Sequence, residues 1–128
     1  MTETRPPYRP RARNKYGAHP TGGHASRREH FRAQRLHIWQ RAGKISDLRE
    51  QVRFELIPAQ YGEAGLNLRG KPTRPLLEHA CYYIADFVYT DNATGQTVVE
   101  DTKGVRTRDY VIKRKLMLYI HGIQIREI

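Results

Sequence analysis

The chain is short of several things, and each shortage excludes something. Cys81 is its only cysteine, so neither an internal disulfide nor a cysteine-based zinc site is available. No apolar run is long enough to cross a membrane. The Arg- and Pro-rich N-terminus has no apolar stretch of the secretory kind, so a cytoplasmic protein is expected. Gly17, Gly22, Gly23 and Gly104 do not make a phosphate loop, which argues against nucleotide hydrolysis. The six histidines include no HExxH pair, and His30 and His37 have no matching cysteine pair, which argues against zinc. Acids are outnumbered, 13 against 23 Lys and Arg, for a net charge of +10.

That charge is unevenly placed. Residues 1–41 hold ten Lys or Arg and two Glu, a local balance of +8. A basic excess of this kind suits a polyanion, nucleic acid first; a solvated surface or a ribosome-associated protein is the plain alternative. Residues 1–23 carry four prolines and five basic side chains and cannot bury a core. They read as a flexible basic arm that either tracks phosphates or keeps the protein soluble. Residues 24–128 are enough for one domain with one core.

Ser26 opens a predicted helix that Gly43 closes, with Phe31, Leu36, Ile38, Trp39 and Ala42 on one broad stripe. Ser26 and Glu29 have capping-box spacing, in which the acid satisfies free N–H groups of the first turn. Glu29 also lies with Ala33 and Leu36 at an edge of the stripe. Residues 45–48 are expected to turn the chain. A strand over 51–57 then alternates Val52, Phe54 and Leu56 inward against Arg53 and Glu55 outward, until Pro58 stops it. Residues 59–78, with three glycines, two prolines and the cations Arg69, Lys71 and Arg74, read as a long loop that either contacts nucleic acid or is a plain insertion. A second helix from Thr107 or Asp109 to Gly122 is expected to bury Ile112, Leu116, Tyr119 and Ile120, with Tyr110, Lys113 and Met117 on an adjacent face. Residues 123–128 read as a last strand. The order helix, three strands, helix, strand gives an α/β chain of the α+β kind, with a mixed central sheet flanked by helices. The second helix serves as a crossover if its flanking strands are parallel.

The most informative stretch is 82–104, YYIADFVYTDNATGQTVVEDTKG. Its first half is dense in β-branched and aromatic residues, and DNATG is turn chemistry. Alternation sets Ile84, Asp86 and Val88 on one face of the first strand. On a second strand over 96–103 it sets Val99, Asp101 and Lys103 on one face and Val98, Glu100 and Thr102 on the other. The hairpin thus brings two carboxylates together beside a lysine. Two acids at close range repel unless a cation sits between them, and a hard ion such as Mg²⁺ takes oxygen ligands of this sort.

Asp86 followed by Asp101-Thr102-Lys103 resembles the D…(D/E)-x-K signature of the PD-(D/E)XK nuclease superfamily. The segments SRRE (26–29), GKISDL (43–48), QVRFELIP (51–58), IADFVY (84–89), VEDTKG (99–104) and YVIKRKL (110–116) occur in that order. Together they resemble a family of small phage and prophage nuclease-like proteins in that superfamily, from about residue 15 to the C-terminus.

The resemblance implies a restriction-endonuclease-like core and a divalent-metal-dependent endonuclease that hydrolyses DNA, leaving 5′-phosphate and 3′-hydroxyl ends. Asp86 and Asp101 would hold Mg²⁺, with Mn²⁺ as a substitute and Glu29 as a direct or water-mediated third ligand. Lys103 would contact the scissile phosphate or steady the attacking water. Gln51, Tyr110, Lys113, Arg27 and Arg28 are further candidates for substrate contacts; the plain reading of Gln51 is a polar strand start. DNA is the expected partner and RNA stays open. No membrane partner is expected, and a two-fold homodimer would suit symmetric cutting. Two other classes remain: a non-catalytic nucleic-acid-binding module, and a phage assembly protein that uses its basic arm.

Overall fold

The computed structural model describes residues 26–128, so the arm expected over 1–23 lies outside the described residues. Helix α1 (Arg27–Arg41) begins where expected: Ser26 is extended, and its hydroxyl accepts from the Glu29 amide at 3.2 Å. After Ala42 the chain leaves through Gly43 at φ 77°, left-handed backbone that a side chain would disfavour. The buried face differs from the expected stripe. Glu29, Ala33 and Leu36 are buried, spaced by four and three, while Phe31 and Ile38 face solvent. Arg32 is drawn inward because a carboxylate waits beneath it, and counting apolar residues alone cannot reveal that.

Strand β1 (Ile45–Ile57) is longer than expected, since Ile45 and Ser46 already pair with β6 and residues 45–48 belong to the strand instead of turning. An irregularity between Ser46 and Arg49, with Asp47 at φ 52°, absorbs the polar stretch. Gln51 therefore sits mid-strand and is not a strand start. The alternation of Val52, Phe54 and Leu56 against Arg53 and Glu55 holds.

The expected loop at 59–78 is an ordered ribbon. β2 (Gln60–Tyr61) pairs with β5 (Leu76–Glu78), and β3 (Gly65–Leu66) pairs with β4 (Pro72–Thr73), both antiparallel. β6 (Cys81–Asp91) follows, with Cys81 half-buried against the core. A tight turn closes as the Gly95 amide donates to the Asp91 carbonyl at 2.7 Å. β7 (Thr97–Asp101) ends two residues earlier than expected, before Thr102 and Lys103. Helix α2 (Arg108–His121) is capped by the Thr107 hydroxyl and stopped by Gly122 at φ 66°. β8 (Arg126–Glu127) closes the chain.

The main sheet has the order β1-β6-β7-β8, antiparallel except for the parallel β7–β8 pair, so the chain is α+β with a mixed sheet. α2 links the parallel strands as the expected crossover. One apolar cluster joins α2 to the sheet through Tyr83, Ala85, Val88, Val99, Tyr110 and Met117. The other joins α1 through Ala33, Leu36, Phe87, Tyr89 and Val98. α2 buries Tyr110 and Met117, whereas Ile112, Tyr119 and Ile120 of the expected stripe are exposed. This helix is apolar on more than one side, so periodicity alone cannot choose the face that packs. Among the described residues no helix is long and apolar enough to cross a membrane.

Candidate active site

Pairing of Val88 with Val99 and of Phe87 with Glu100 carries β6 and β7 alongside each other, and just past the last of these pairs Asp86 and Asp101 lie close enough to act on each other in one cleft. The side-chain alternation of β6 slips at Asp86. Tyr83 and Ala85 join Val88 in the α2 cluster, whereas Phe87 and Tyr89 join the α1 cluster. Across from it on β1, Gln51 has φ 52°, while the flanking pairs Glu50–Phe87 and Val52–Ala85 keep one register. Both strands therefore step together here. Left-handed backbone at a non-glycine residue costs about 1–3 kcal/mol and persists where the surroundings hold it.

The Gln51 side chain provides that hold. Its Nε2 donates to Glu29 Oε1 at 2.8 Å and reaches Asp86 Oδ1 at 3.4 Å, so the amide joins α1 to β6. Glu29 is buried at the start of α1, its amide in the cap and its carboxylate turned to Gln51. Asp86 Oδ2 accepts from both the amide and the hydroxyl of Thr102, at 2.9 and 2.7 Å. This corrects the expected facing of Thr102. Because β7 ends at Asp101, Thr102 is free of strand alternation and turns toward Asp86 instead of sharing the face of Glu100.

Asp101 is only 2% exposed. Its Oδ2 accepts from the Tyr83 hydroxyl at 2.6 Å and lies 3.2 Å from Lys103 Nζ. Burial pushes the Asp101 carboxyl up to about 6; the Tyr83 hydrogen bond opposes this, the neighbouring Asp86 adds to it, and Lys103 opposes it. Burial, and then Asp101 itself, raises the Tyr83 phenol. The Lys103 ammonium lies 4.2 Å from the centre of the Tyr110 ring, and the Lys103 carbonyl accepts from Arg28 Nη1 at 3.1 Å.

Tyr83, Asp86, Asp101, Lys103 and Tyr110 line a cleft of about 290 Å³ with Ile84, Thr107, Asp109 and Lys113, whereas Glu29, Gln51 and Arg28 stand outside its lining. Tyr110 is buried beside it and presents its ring, because its hydroxyl donates to Glu127 Oε1 at 3.0 Å. Arg27 is exposed and is not part of the cleft wall. A wider cavity of about 520 Å³ lies toward the Asp91 end of β6, between Trp39, Lys44, Tyr89 and Arg126, and has no paired acids.

A hard divalent cation fits the Asp86–Asp101 pair by donor type and by the need to offset two adjacent acids. Among the described residues, no three His, Cys, Asp or Glu side chains form a cation cage. Mg²⁺ is commonly held by one or two carboxylates, with water and substrate phosphate completing its shell.

Sequence reasoning missed Thr102, Tyr83 and one buried pair. On the α1 side of the sheet, Glu100 is fully buried and takes a two-pronged bond from Arg32, at 2.7 and 2.8 Å, and another from the Tyr89 hydroxyl. The guanidinium also lies 5.0 Å from the Trp39 ring centre. This pair fastens α1 to β7 directly behind Asp101. Arg32 does occur in the helix pattern, but nothing in the sequence connects it to Glu100.

The family described as "Protein of unknown function (DUF1064)" matches residues 13–126. No curated protein matches, and no solved structure matches.

Proposed function

The chain belongs to the DUF1064 family, and we propose that this member is a Mg²⁺-dependent nuclease, an endonuclease that hydrolyses DNA phosphodiester bonds in the PD-(D/E)XK manner. The observation that carries the reading is the apposition of Asp86 with the buried Asp101, with the Lys103 ammonium 3.2 Å from Asp101 in an open cleft. An ordinary structural ion pair sets one acid against one base. A second acid beside a buried first one adds repulsion, and a cation-holding role explains it.

Asp86 and Asp101 would hold the ion. When bound, it would supply a lowered pKa to an attacking water and offset charge on the scissile phosphate. The chain's own groups do the positioning. Thr102 fixes one oxygen of Asp86, and Tyr83 fixes one oxygen of Asp101. Glu29 acts through the Gln51 amide, which orients Asp86 from the α1 side. Lys103, braced over the Tyr110 ring, presents its ammonium to a non-bridging phosphate oxygen. Lys113 adds positive charge in the cleft, and Arg28 holds the Lys103 backbone.

The test is a gel assay on linear, nicked, branched and single-stranded DNA, with Mg²⁺, Mn²⁺ or a chelator, using the parent chain and Asp101→Asn. Metal-dependent cleavage that Asp101→Asn loses is the expected result. Binding without cleavage under every condition would return the chain to the binding-module reading, and metal-independent binding through the arm alone to the assembly reading.

A further inference from the structure

We infer that the ribbon over 60–78 is a second DNA contact, which places Leu68 between two base pairs of a duplex while Arg69 and Lys71 hold the flanking phosphates. The inference rests on the nucleic-acid part of the proposed function and adds duplex DNA, bent at an unstacked step, as the substrate class.

The tip of the ribbon is fixed. Asn67 Oδ1 accepts from the Arg69 amide at 2.9 Å and from the Lys71 amide at 3.0 Å. The Asn67 amide donates to the Lys71 carbonyl and the Gly70 amide to the Asn67 carbonyl, both at 2.9 Å, with Gly70 at φ 72° making the bend. At this pinned turn the Leu68 side chain projects into solvent, 108% exposed. No ribbon residue belongs to either core cluster, so core packing does not account for a leucine at the tip.

Charge selects the partner. Residues 65–74 hold Arg69, Lys71 and Arg74 and no acid. Arg74 lies 5.9 Å from the Tyr61 ring centre and so stays on the stem. The two tip cations, Arg69 and Lys71, repel the same tip of a second copy and attract a phosphate backbone, and Arg74 adds charge on the stem. An apolar wedge on a basic ribbon unstacks a base step and bends the duplex, and the bend brings more DNA onto protein. The ribbon also joins β6 at Cys81, immediately before Tyr82, Tyr83 and Ile84 of the cleft wall. The stem of the ribbon is thus continuous in the chain with the cleft wall.

The experiment uses the full chain, Ca²⁺ in place of Mg²⁺, and duplexes with 2-aminopurine at each step in turn. Binding by the parent is expected to raise the fluorescence at one or two steps. Leu68→Ala, at an exposed position where the fold has nothing to lose, is expected to abolish that rise and weaken binding roughly tenfold. Arg69→Ala with Lys71→Ala is expected to lower the slope of log affinity against log salt by about two. A parent that binds with no rise, or a Leu68→Ala chain that keeps it, overturns the wedge alone. A parent that binds no duplex overturns the wedge together with the DNA reading. Sedimentation of the same variants covers the remaining occupant, because Leu66 and Leu77 on the stem are exposed too. Conversion of a dimer to a monomer by Leu68→Ala, with DNA binding unchanged, makes the ribbon a self-association arm and overturns the proposal.

Discussion

Thr102 gives two hydrogen bonds to one oxygen of Asp86, one from its amide at 2.9 Å and one from its hydroxyl at 2.7 Å. The amide bond survives any substitution other than proline; the hydroxyl bond does not. Thr102→Val keeps the shape and leaves Asp86 with one donor fewer. The expected result is a loss of about 1 kcal/mol in stability and a rise in the Mg²⁺ concentration needed for half-maximal cleavage. Thr102→Ser is expected to restore both. Cleavage titrated against Mg²⁺ for the two variants measures this, and equal behaviour of Val and Ser would remove Thr102 from the site.

Glu29 separates a cap from a site group. The cap bond uses its amide and the Gln51 contact uses its carboxylate. Glu29→Gln keeps the amide and leaves a side chain that can still pair with the Gln51 amide, but takes away the buried carboxyl group. Retained fold, retained DNA binding and loss of most cleavage are expected. Glu29→Ala loses the buried hydrogen bond as well, at a cost of roughly 1–3 kcal/mol. Near-parental cleavage by Glu29→Gln over a range of Mg²⁺ concentrations would make Glu29 purely structural.

Much of the placement was legible because it is local. Ser26, Gly43, Thr107 and Gly122 act at helix ends through their own backbone and side chains, and all four do so in the structure. The Asp86–Asp101 apposition follows from strand alternation and a short turn. What escaped is set by distant partners. Arg32 is inward only because Glu100 lies 68 residues away in sequence and beneath it in space. The Gln51 kink exists only with the Asp86 slip across from it. Thr102 turned because β7 ended early, which depends on where β8 pairs. The ribbon had no period to announce it, since its ladders are two or three residues long.

The Arg32–Glu100 pair gives a stability prediction separate from chemistry. Glu100 is fully buried and the Arg32 side chain is 12% exposed. Removing one partner leaves a buried charge unmatched, so Glu100→Leu alone is expected to cost about 3–5 kcal/mol. Glu100→Leu with Arg32→Met removes both charges and is expected to recover most of that loss. Urea denaturation of the two singles and the double closes the cycle. A double variant no better than the worse single would show that the pair matters through packing and not through charge.

The final prediction is a pH dependence centred on Glu127. Arg114 and then Arg106 donate to its carboxylate, burial opposes them, and Tyr110 adds a third donor. Together these pull its pKa from the usual 4.5 down to about 2. A carboxylate depressed in the folded state stabilises fully above its unfolded pKa, and the contribution fades as pH falls through the folded one. Stability from Glu127 is therefore present above about 4.5 and lost between there and about 2. Glu127→Gln is expected to be less stable than the parent at pH 7, with the gap closing across that window and absent at its lower end. The location adds a consequence for the site: Glu127 is the ladder partner of Asp101, and the next residue, Ile128, donates its amide to the Asp101 carbonyl at 2.9 Å. Loosening Glu127 loosens the strand that backs Asp101, so amide exchange at Ile128 is expected to accelerate in Glu127→Gln at neutral pH. Denaturation curves from pH 7 to 2 and exchange at Ile128 check the two halves independently. A gap that stays constant with pH would mean that the arginines bind this strand without help from its charge.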